Sequence, residues 1–361
     1  MILIDGNNVT RRYLHVAVAE TLKDFFTKDY DGTPPSVEKL TELKTTFLHF
    51  VLWEILEMKS RYKLYGDVII AFDSKHSWRR RVYDDYKANR RKPKSKAEAM
   101  QDNLFYWMMP YLYEILDATP YTILKDLTTP DGFGIEADDI IGILAPTEKS
   151  VICSTDEDFT QLLSDHVKQY HSYRKVLLGT PSKKDVEFWK QYNIISGQSK
   201  DGIPGIMQHC KLSEDFIKWC KDTKDLEITG EMIEKIEKDH QNLMTEYEEA
   251  KAVEDDKLLL EGKRKIRRYL TAYEKPKGGE KMVIEFMNNF DVNLKANPRW
   301  KTHYERNADL LLFDRIPQDV KDVILQSYHS QELMVFFDTV KFQSILMEQQ
   351  LYKMVDRIHD F

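Results

Sequence analysis

Cysteine is scarce in this sequence, and long apolar segments are missing. The 361 residues include three cysteines, Cys153, Cys210 and Cys220, and their number and spacing argue against a disulfide framework or a zinc site. No run of 18 or more apolar residues occurs, so a membrane-spanning helix is not expected. The first residues, MILIDGNN, lack the basic segment and long apolar core of a secretory signal. We therefore expect a protein of the reducing cytoplasm.

An excess of positive charge is also missing, because the formal net charge is −7. Positive charge is nevertheless concentrated locally. Residues 79–96 contain nine basic and two acidic side chains, a local charge of +7, and a second basic block, KRKIRRY, covers Lys263–Tyr269. A basic strip of this kind is the electrostatic footprint of a phosphate backbone, whatever the total charge. The strip predicts a nucleic-acid partner.

Short apolar strands alternate with helical patterns in the first two hundred residues. Strand-like runs cover Ile2–Ile4, Asp67–Phe72, Tyr121–Leu124 and Ser150–Ser154, and helical patterns cover Thr41–Met58, Asn103–Leu116, Ala137–Leu144 and Phe159–Leu163. This alternation predicts an α/β domain with a mostly parallel central sheet flanked by helices. After about residue 200 the composition favours helices, over Lys211–Arg268 and Pro317–Phe361. We predict an α/β domain at 1–200 and a mostly helical domain at 201–361.

Acidic residues recur where the predicted strands end or where the following helices begin. They are Asp5, Asp73, Glu136, Asp138, Asp139, Asp156, Asp158 and Asp201. A single acid at such a place is usually a turn former or a helix N-cap, and acids also favour helix N-termini through the dipole. Capping needs one acid per helix, however, and the carboxyl ends of parallel strands open onto one edge of the sheet. The joint pattern therefore predicts converging carboxylates.

Converging carboxylates repel one another unless cations neutralise them. Hard divalent ions with oxygen ligands, Mg²⁺ or Mn²⁺, are the cations that suit such a group. Two such ions about 4 Å apart activate a water and stabilise the leaving oxygen in phosphodiester hydrolysis. The acids and the basic strip together predict a metal-dependent nuclease.

Five motifs then carry a resemblance to a known family. In order and spacing, LIDGNN, AFDSKHSWRRRVYDDYKANRR, EADDIIGILA, STDEDFTQLL and KDGIPGI resemble the motifs of the 5′-nuclease (flap endonuclease) superfamily, and within it the RNase H type of T-even-type bacteriophages. The resemblance implies a 5′→3′ exonuclease and flap endonuclease. It covers the first two hundred residues and a stretch near Glu305–Val320, and it is poor between Ile206 and Trp300.

The resemblance implies roles for the acidic residues. A first metal ion would be surrounded by Asp5, Asp73, Glu136, Asp138, Asp139 and Asp156. Asp158 and Asp201 would serve a second ion. Many relatives carry a further aspartate three residues before the position of Asp201, where this chain has Gln198. An amide brings no charge, so we expect the second ion to bind more weakly than the first.

The resemblance also implies a helical arch at about residues 74–100, past which a 5′ single strand runs. Lys87 and Arg90 would contact the scissile and neighbouring phosphates and offset charge in the transition state, with Arg79, Arg80 and Arg91 beside them. Tyr83 and Tyr86 either stack on an unpaired base or pack within the arch. The duplex-binding turn of the family has two candidates here, GIPGI at Gly202–Ile206 and EITGEMIEKIEK at Glu227–Lys238.

The resemblance also implies a biological role, to which two alternative functions remain. We expect removal of RNA primers from lagging-strand fragments, with DNA, RNA–DNA hybrid and 5′ flaps or forks as substrates. Single-strand-binding protein and the sliding clamp are further partners, the protein is a monomer, and the location is the host cytoplasm if a bacteriophage encodes it. One alternative is a PIN-type endoribonuclease acting on structured RNA. Another is a catalytically silent protein that binds forks.

Overall fold

The computed structural model divides the chain into two compact units. It describes residues 1–23, 30, 32–91, 95–206, 280–296, 298–332 and 337–361. The first unit comprises Met1–Arg81, Arg91–Val186 and Leu312–Phe361, and the second comprises Val82–Arg90 and Glu187–Leu311. This division differs from the predicted boundary at residue 200, because the last fifty residues pack into the core of the first unit. The second basic block and the Glu227–Lys238 candidate lie outside the described residues.

A twisted sheet organises the first unit. In the described residues it has six strands, β1 (Ile2–Asp5), β2 (Val68–Ala71), β3 (Thr122–Leu124), β4 (Ser150–Cys153), β5 (Val167–His171) and β6 (Val176–Leu178). They are arranged in the order β3-β2-β1-β4-β5-β6. All neighbours are parallel except β5 and β6, which are antiparallel. The predicted α/β fold with a mostly parallel sheet is confirmed.

Helices follow the strands and dominate the described residues after β6. In the described residues they are α1 (Gly6–Thr21), α2 (Val37–Arg61), α3 (Lys96–Asp117), α4 (Ala137–Leu144), α5 (Lys183–Ser196), α6 (Glu280–Asn288), α7 (Phe290–Ala296), α8 (Pro298–Leu311), α9 (Gln318–Glu332), α10 (Thr339–Glu348) and α11 (Tyr352–Val355). The helical character predicted for Pro317–Phe361 is confirmed, whereas the helices predicted over Lys211–Arg268 lie outside the described residues. No helix in these ranges is long and apolar enough to cross a membrane.

The two faces of the sheet carry separate apolar cores. Side chains of a strand alternate between faces, so Ile2 and Ile4 of β1 join the core formed with α1, α2, α3, α10 and α11. Leu3 joins the opposite core, formed with α4 and α9. Because β1, β2 and β4 are buried on both faces, they consist of continuous apolar runs. Because these three strands are parallel, their carboxyl ends lie at one edge of the sheet.

The second unit has a small core of its own. Ile195 of α5 packs with Ile206 and with Val283 and Phe286 of α6. A second cluster joins Tyr86 to Ile203 and to Leu310 and Leu311 of α8. The unit is therefore built from segments that are far apart in the sequence.

Candidate active site

Three acidic residues follow three neighbouring strands of the first unit. Asp5 is the last residue of β1, Asp73 comes two residues after β2, and Asp156 comes three residues after β4. Strand β1 lies between the other two, with Asp5 paired to Ala71 and Ile4 paired to Cys153. The predicted convergence of strand-end acids thus has a basis in the register of the sheet.

Asp5 is the buried member of the group, with 5% of its surface exposed. Its Oδ1 accepts from the Asn8 backbone N–H at 2.9 Å, and its Oδ2 accepts from Ser154 Oγ at 2.8 Å. The pKa of Asp5 is raised to about 7, chiefly by burial and also by the charges of Asp73 and Asp156, against the lowering effect of the two hydrogen bonds. The site therefore disfavours its own negative charge, which a cation would relieve.

Asp73 joins the start of α1 to the start of α4. Its Oδ1 accepts from the Ala137 N–H at 2.8 Å, and its Oδ2 accepts from Asn7 Nδ2 at 2.9 Å. In return, the Asp73 N–H donates to Asn7 Oδ1 at 2.9 Å. Both carboxylate oxygens therefore have fixed directions.

The loop after β4 is held in a similar way. Asn8 Nδ2 donates to Thr155 Oγ1 at 2.7 Å, and the Asp156 N–H donates to Ser154 Oγ at 3.1 Å. Asp156 Oδ1 accepts from the Asp158 N–H at 2.9 Å and caps a short 3-10 helix, Glu157–Leu162. Asp156 and Asp158 are half-buried, whereas Glu157 between them is exposed. Phe159 anchors the turn in the core.

Glu136 and Asp139 have a different environment, since both form ion pairs with Arg79. Arg79 Nη1 lies 2.9 Å from Glu136 Oε2, and Nη2 lies 2.8 Å from Asp139 Oδ1. Trp78 Nε1 donates to Asp139 Oδ2 at 2.9 Å. Arg79 is only 4% exposed and Asp139 is fully buried. Arg79 is therefore a buried counter-ion of two acids, while the nucleic-acid contact predicted for Arg79 and the metal ligation predicted for Asp139 stay predictions.

The donor set has the chemistry of a divalent-cation site. In the part of the chain that the structure describes, no three carboxylate, imidazole or thiolate side chains form a group arranged to hold a metal ion. The carboxylates of Asp5, Asp73 and Asp156 are nevertheless close enough for their charges to interact, and oxygen donors are what Mg²⁺ and Mn²⁺ prefer. Asp138 is half-buried in the first turn of α4, next to Ala137, whose N–H donates to Asp73. The donor chemistry therefore fits a hard divalent cation.

In the second unit, Asp201 is tied to the basic strip. Its backbone carbonyl accepts from the Lys87 N–H at 2.7 Å, and its Oδ1 accepts from Arg90 Nη2 at 2.7 Å. Asp201 is 6% exposed, whereas the Arg90 side chain is 56% exposed. Lys87 adopts a φ of +56°, a left-handed conformation that is uncommon for a residue with a side chain. The predicted phosphate contacts thus lie beside a predicted metal ligand.

The two tyrosines of the strip pack within the second unit. Tyr86 is 4% exposed and packs among Ile203, Leu310 and Leu311, which favours the packing alternative over stacking on a base. Tyr83 is half-buried, and the Arg306 guanidinium lies 5.0 Å from its ring centroid.

The described part of the strip is not a continuous helical arch. It forms two single 3-10 turns, Trp78–Arg81 and Ala88–Arg91, before α3 begins at Lys96. Arg80 is half-buried in the first turn, and Arg91 ends the second. The strip is also divided between the units, because Trp78 and Arg79 are anchored in the first. This differs from the arch predicted at about residues 74–100.

Sequence reasoning missed the residues that brace the Asp201 turn. Asn307 of α8 is fully buried, and its Nδ2 donates to the carbonyls of Ile194 and Pro204 at 2.9 and 2.8 Å. Its Oδ1 accepts from Arg306 Nε at 3.0 Å. The turn itself is tight, since a Cβ at Gly197 would lie 2.4 Å from the Ile203 carbonyl oxygen. The local sequence, Glu305-Arg306-Asn307, does not indicate that Asn307 binds these carbonyls.

Comparison with known proteins places the domain in a family. The model of a family described as 5′-3′ exonuclease, N-terminal resolvase-like domain, matches residues 1–193. A 5′-3′ exonuclease of Buchnera aphidicola subsp. Acyrthosiphon pisum is 31% identical over 161 residues, covering 40% of this chain and 50% of the relative. A flap endonuclease Xni of Shewanella loihica is 28% identical over 235 residues, covering 60% of this chain and 76% of the relative.

A solved structure is also similar. The bacteriophage T5 D15 protein, co-crystallised with metal ions, superposes with a TM-score of 0.49 at 16% identity, covering 91% of this chain and 98% of that one. The chain spans about half the length of the first curated relatives it matches. On the strength of the family match, the chain belongs to the 5′-3′ exonuclease family, and the resemblance to the 5′-nuclease superfamily is confirmed.

Proposed function

We propose that the protein is a metal-dependent 5′→3′ exonuclease and flap endonuclease. It would hydrolyse phosphodiester bonds of RNA–DNA hybrids and of 5′-flap or duplex DNA. The observation that carries the proposal is the group of strand-end carboxylates, Asp5, Asp73 and Asp156, in which burial and mutual repulsion raise the pKa of Asp5. Family membership and the names of its relatives, 5′-3′ exonuclease and flap endonuclease, support the same reaction.

The chain supplies ligands and charge for this reaction. When bound, Mg²⁺ or Mn²⁺ would activate a water and stabilise the leaving oxygen. We propose that Asp5, Asp73, Asp138 and Asp156 hold the ion, with Glu136 at the edge of this group through its bond to Arg79. Lys87 and Arg90 would bind phosphate and offset the charge that develops on it. Arg80 and Arg91 extend the basic strip.

We propose that a second ion binds more weakly than the first. Asp158 and Asp201 are its proposed ligands. Asp201 Oδ1 already accepts from Arg90, so a cation there competes with a guanidinium. Gln198, 8% exposed, adds no charge. Both observations support weaker binding of the second ion than of the first.

The proposed biological role is removal of RNA primers from lagging-strand fragments during DNA replication. The partners would be DNA, RNA–DNA hybrid and the forks that carry 5′ flaps. Single-strand-binding protein and the sliding clamp of the replisome are proposed from the same role. We propose a monomer in the cytoplasm, or in the host cytoplasm if a bacteriophage encodes it.

Cleavage of a labelled 5′-flap DNA by the full chain tests the function. We expect products cut near the junction with Mg²⁺ or Mn²⁺, and no products after addition of EDTA. Shortening of a 5′-labelled RNA–DNA hybrid should show the same dependence. Cleavage of structured single-stranded RNA in preference to the flap would favour a PIN-type endoribonuclease. Flap binding without cleavage in either metal would favour a silent fork-binding protein, and either result would overturn the proposal.

A further inference from the structure

Two asparagines at the start of α1 lie at the centre of the strand-end acids. The helix already has its N-cap, because Asp5 Oδ1 accepts from the Asn8 N–H. Asparagine has a low helix propensity, and its side chain does not stabilise a helix from an interior position. The side-chain amides of Asn7 and Asn8 are therefore used for another purpose.

Asn7 forms a two-bond clamp with Asp73. Its Nδ2 donates to Asp73 Oδ2, and its Oδ1 accepts from the Asp73 N–H, both at 2.9 Å. The Ala137 N–H holds the other carboxylate oxygen at 2.8 Å. The amide thus fixes both the backbone and the carboxylate of a proposed metal ligand 66 residues away in the sequence.

Asn8 forms the corresponding clamp on the other side of β1. Its Nδ2 donates to Thr155 Oγ1 at 2.7 Å, and its Oδ1 accepts from the Thr155 N–H at 3.3 Å. Thr155 precedes Asp156, whose N–H is held by the same Ser154 hydroxyl that donates to Asp5. Ser154 therefore connects the loop after β4 to Asp5 at the end of β1.

Gly6 makes this arrangement sterically possible. A Cβ at this position would lie 2.5 Å from Cε1 of the Phe72 ring, a distance that no side chain tolerates. The absence of a side chain lets the first turn of α1 lie directly against the end of β2. In the segment 5–8, the acid is thus followed by a glycine that allows close approach to Phe72. The next two residues bind the segment after β2 and the loop after β4.

We infer that Asn7 and Asn8 are positioning residues that hold Asp73 and the Thr155–Asp156 loop against Asp5, so that the three carboxylates serve one divalent cation. The inference rests on the proposed function. Groups that orient metal ligands through hydrogen bonds typically contribute 10- to 100-fold to metal affinity or activity.

Metal binding by the nucleic-acid-free protein tests the inference directly. We would titrate Mn²⁺ calorimetrically into the full chain and into the variants Asn7→Ala and Asn8→Ala. We expect affinity to fall by about 10-fold or more in each, with a matching rise in the Mg²⁺ concentration needed for flap cleavage. Glu20→Gln, at an exposed position on the same helix, is the control and should change neither quantity.

A double-mutant cycle isolates the clamp on the β4 side. Thr155→Val removes the hydroxyl that accepts from Asn8 while keeping the size of the side chain. If the two residues act through this bond, Asn8→Ala/Thr155→Val should lose little more Mn²⁺ affinity than Asn8→Ala alone. Fully additive losses would contradict the proposed clamp.

Unfolding by urea in EDTA separates positioning from simple stabilisation. Lower stability of both variants with unchanged Mn²⁺ affinity would show that the asparagines only hold the fold together and would overturn the inference. A wild-type chain that binds no Mn²⁺ would overturn it as well. A wild-type chain that binds Mn²⁺ but cleaves no flap would sink the proposed function alone, and the loss of Mn²⁺ affinity in the variants would still support the positioning role.

Discussion

The carboxylates of the two units are held by different chemistry. In the first unit, neutral amide groups and a hydroxyl donate to Asp5 and Asp73. In the second unit, Asp201 accepts from the guanidinium of Arg90. Amides orient a carboxylate without cancelling its charge, whereas a guanidinium does both. We therefore expect Asp5 and Asp73 to bind a metal ion more tightly than Asp201 does.

The same contrast recurs inside the first unit. Glu136 and Asp139 share the guanidinium of Arg79, while the raised pKa of Asp5 shows a charge that its neighbours do not compensate. The second acid of the motif EADD, Asp138, is half-buried in the first turn of α4. We expect Glu136 and Asp139, which pair with the buried guanidinium, to stabilise the fold. We expect Asp5 and Asp73, which amide groups orient, to serve the proposed chemistry.

The largest expected effect comes from neutralising an amide-held acid. Asp73→Asn keeps the shape of the side chain but removes the charge proposed to bind the cation. Metal ions contribute several kcal/mol to phosphoryl transition states, so flap cleavage should fall by about 1000-fold or more. Single-turnover cleavage at saturating Mg²⁺ measures this. Glu157→Gln, at the exposed position beside Asp156, should retain nearly full activity, and equal losses in both variants would remove the distinction.

Removing the buried guanidinium of the first unit should cost stability. Arg79→Ala leaves Glu136 and Asp139 as uncompensated buried acids, and breaking a buried pair in this way costs about 3–5 kcal/mol. Urea unfolding in EDTA gives the value. Arg80→Ala, at the half-buried neighbouring position, should cost under about 1 kcal/mol. Equal stabilities of the two variants would show that Arg79 is not a structural counter-ion.

The brace of the second unit should have an intermediate effect. Asn307→Ala leaves the carbonyls of Ile194 and Pro204 without this donor, and an unsatisfied buried group costs about 1–3 kcal/mol. Asn288→Ala, at an exposed position on α6, is the matched control and should be close to neutral. Weaker flap binding by Asn307→Ala would connect the brace to Lys87 and Arg90, and unchanged stability and binding would show that α8 does not support the turn.

The ion pair of the second unit should matter least for stability. The Arg90 side chain is more than half exposed, and exposed pairs contribute about 0–1 kcal/mol. Arg90→Ala should therefore unfold almost like wild type, yet bind flap DNA more weakly, with the salt dependence of log K reduced by about one. Flap affinity measured between low and moderate salt tests this. A large loss of stability with unchanged affinity would assign Arg90 to the fold.

Much of the fold could be predicted from the sequence, because β1 to β4 are buried on both faces and are therefore written as continuous apolar runs. β5 and β6 were missed because VKQYH is interrupted by polar residues and β6 is largely exposed at the sheet edge. Helix α1 was missed as well, since its first turn, GNN, has the composition of a loop. That composition now has a cause in the clamps on Asp73 and Thr155.

The acids could be predicted from their positions after strands, but their roles could not. In the sequence Arg79 is one base in a uniform strip, and its partners Glu136 and Asp139 lie 57 and 60 residues away. Asn307 likewise acts on carbonyls 113 and 103 residues away. Only tertiary packing distinguishes a buried counter-ion from an exposed phosphate contact.

The most direct test compares Asp156→Asn with Arg90→Ala on one labelled 5′-flap substrate, with affinity and single-turnover cleavage measured separately. Asp156→Asn should bind the flap nearly as well as wild type and should not cleave it. Arg90→Ala should bind more weakly and cleave at a measurable rate once the substrate saturates the protein. Full cleavage by Asp156→Asn would contradict the assignment of the strand-end acids to the chemistry.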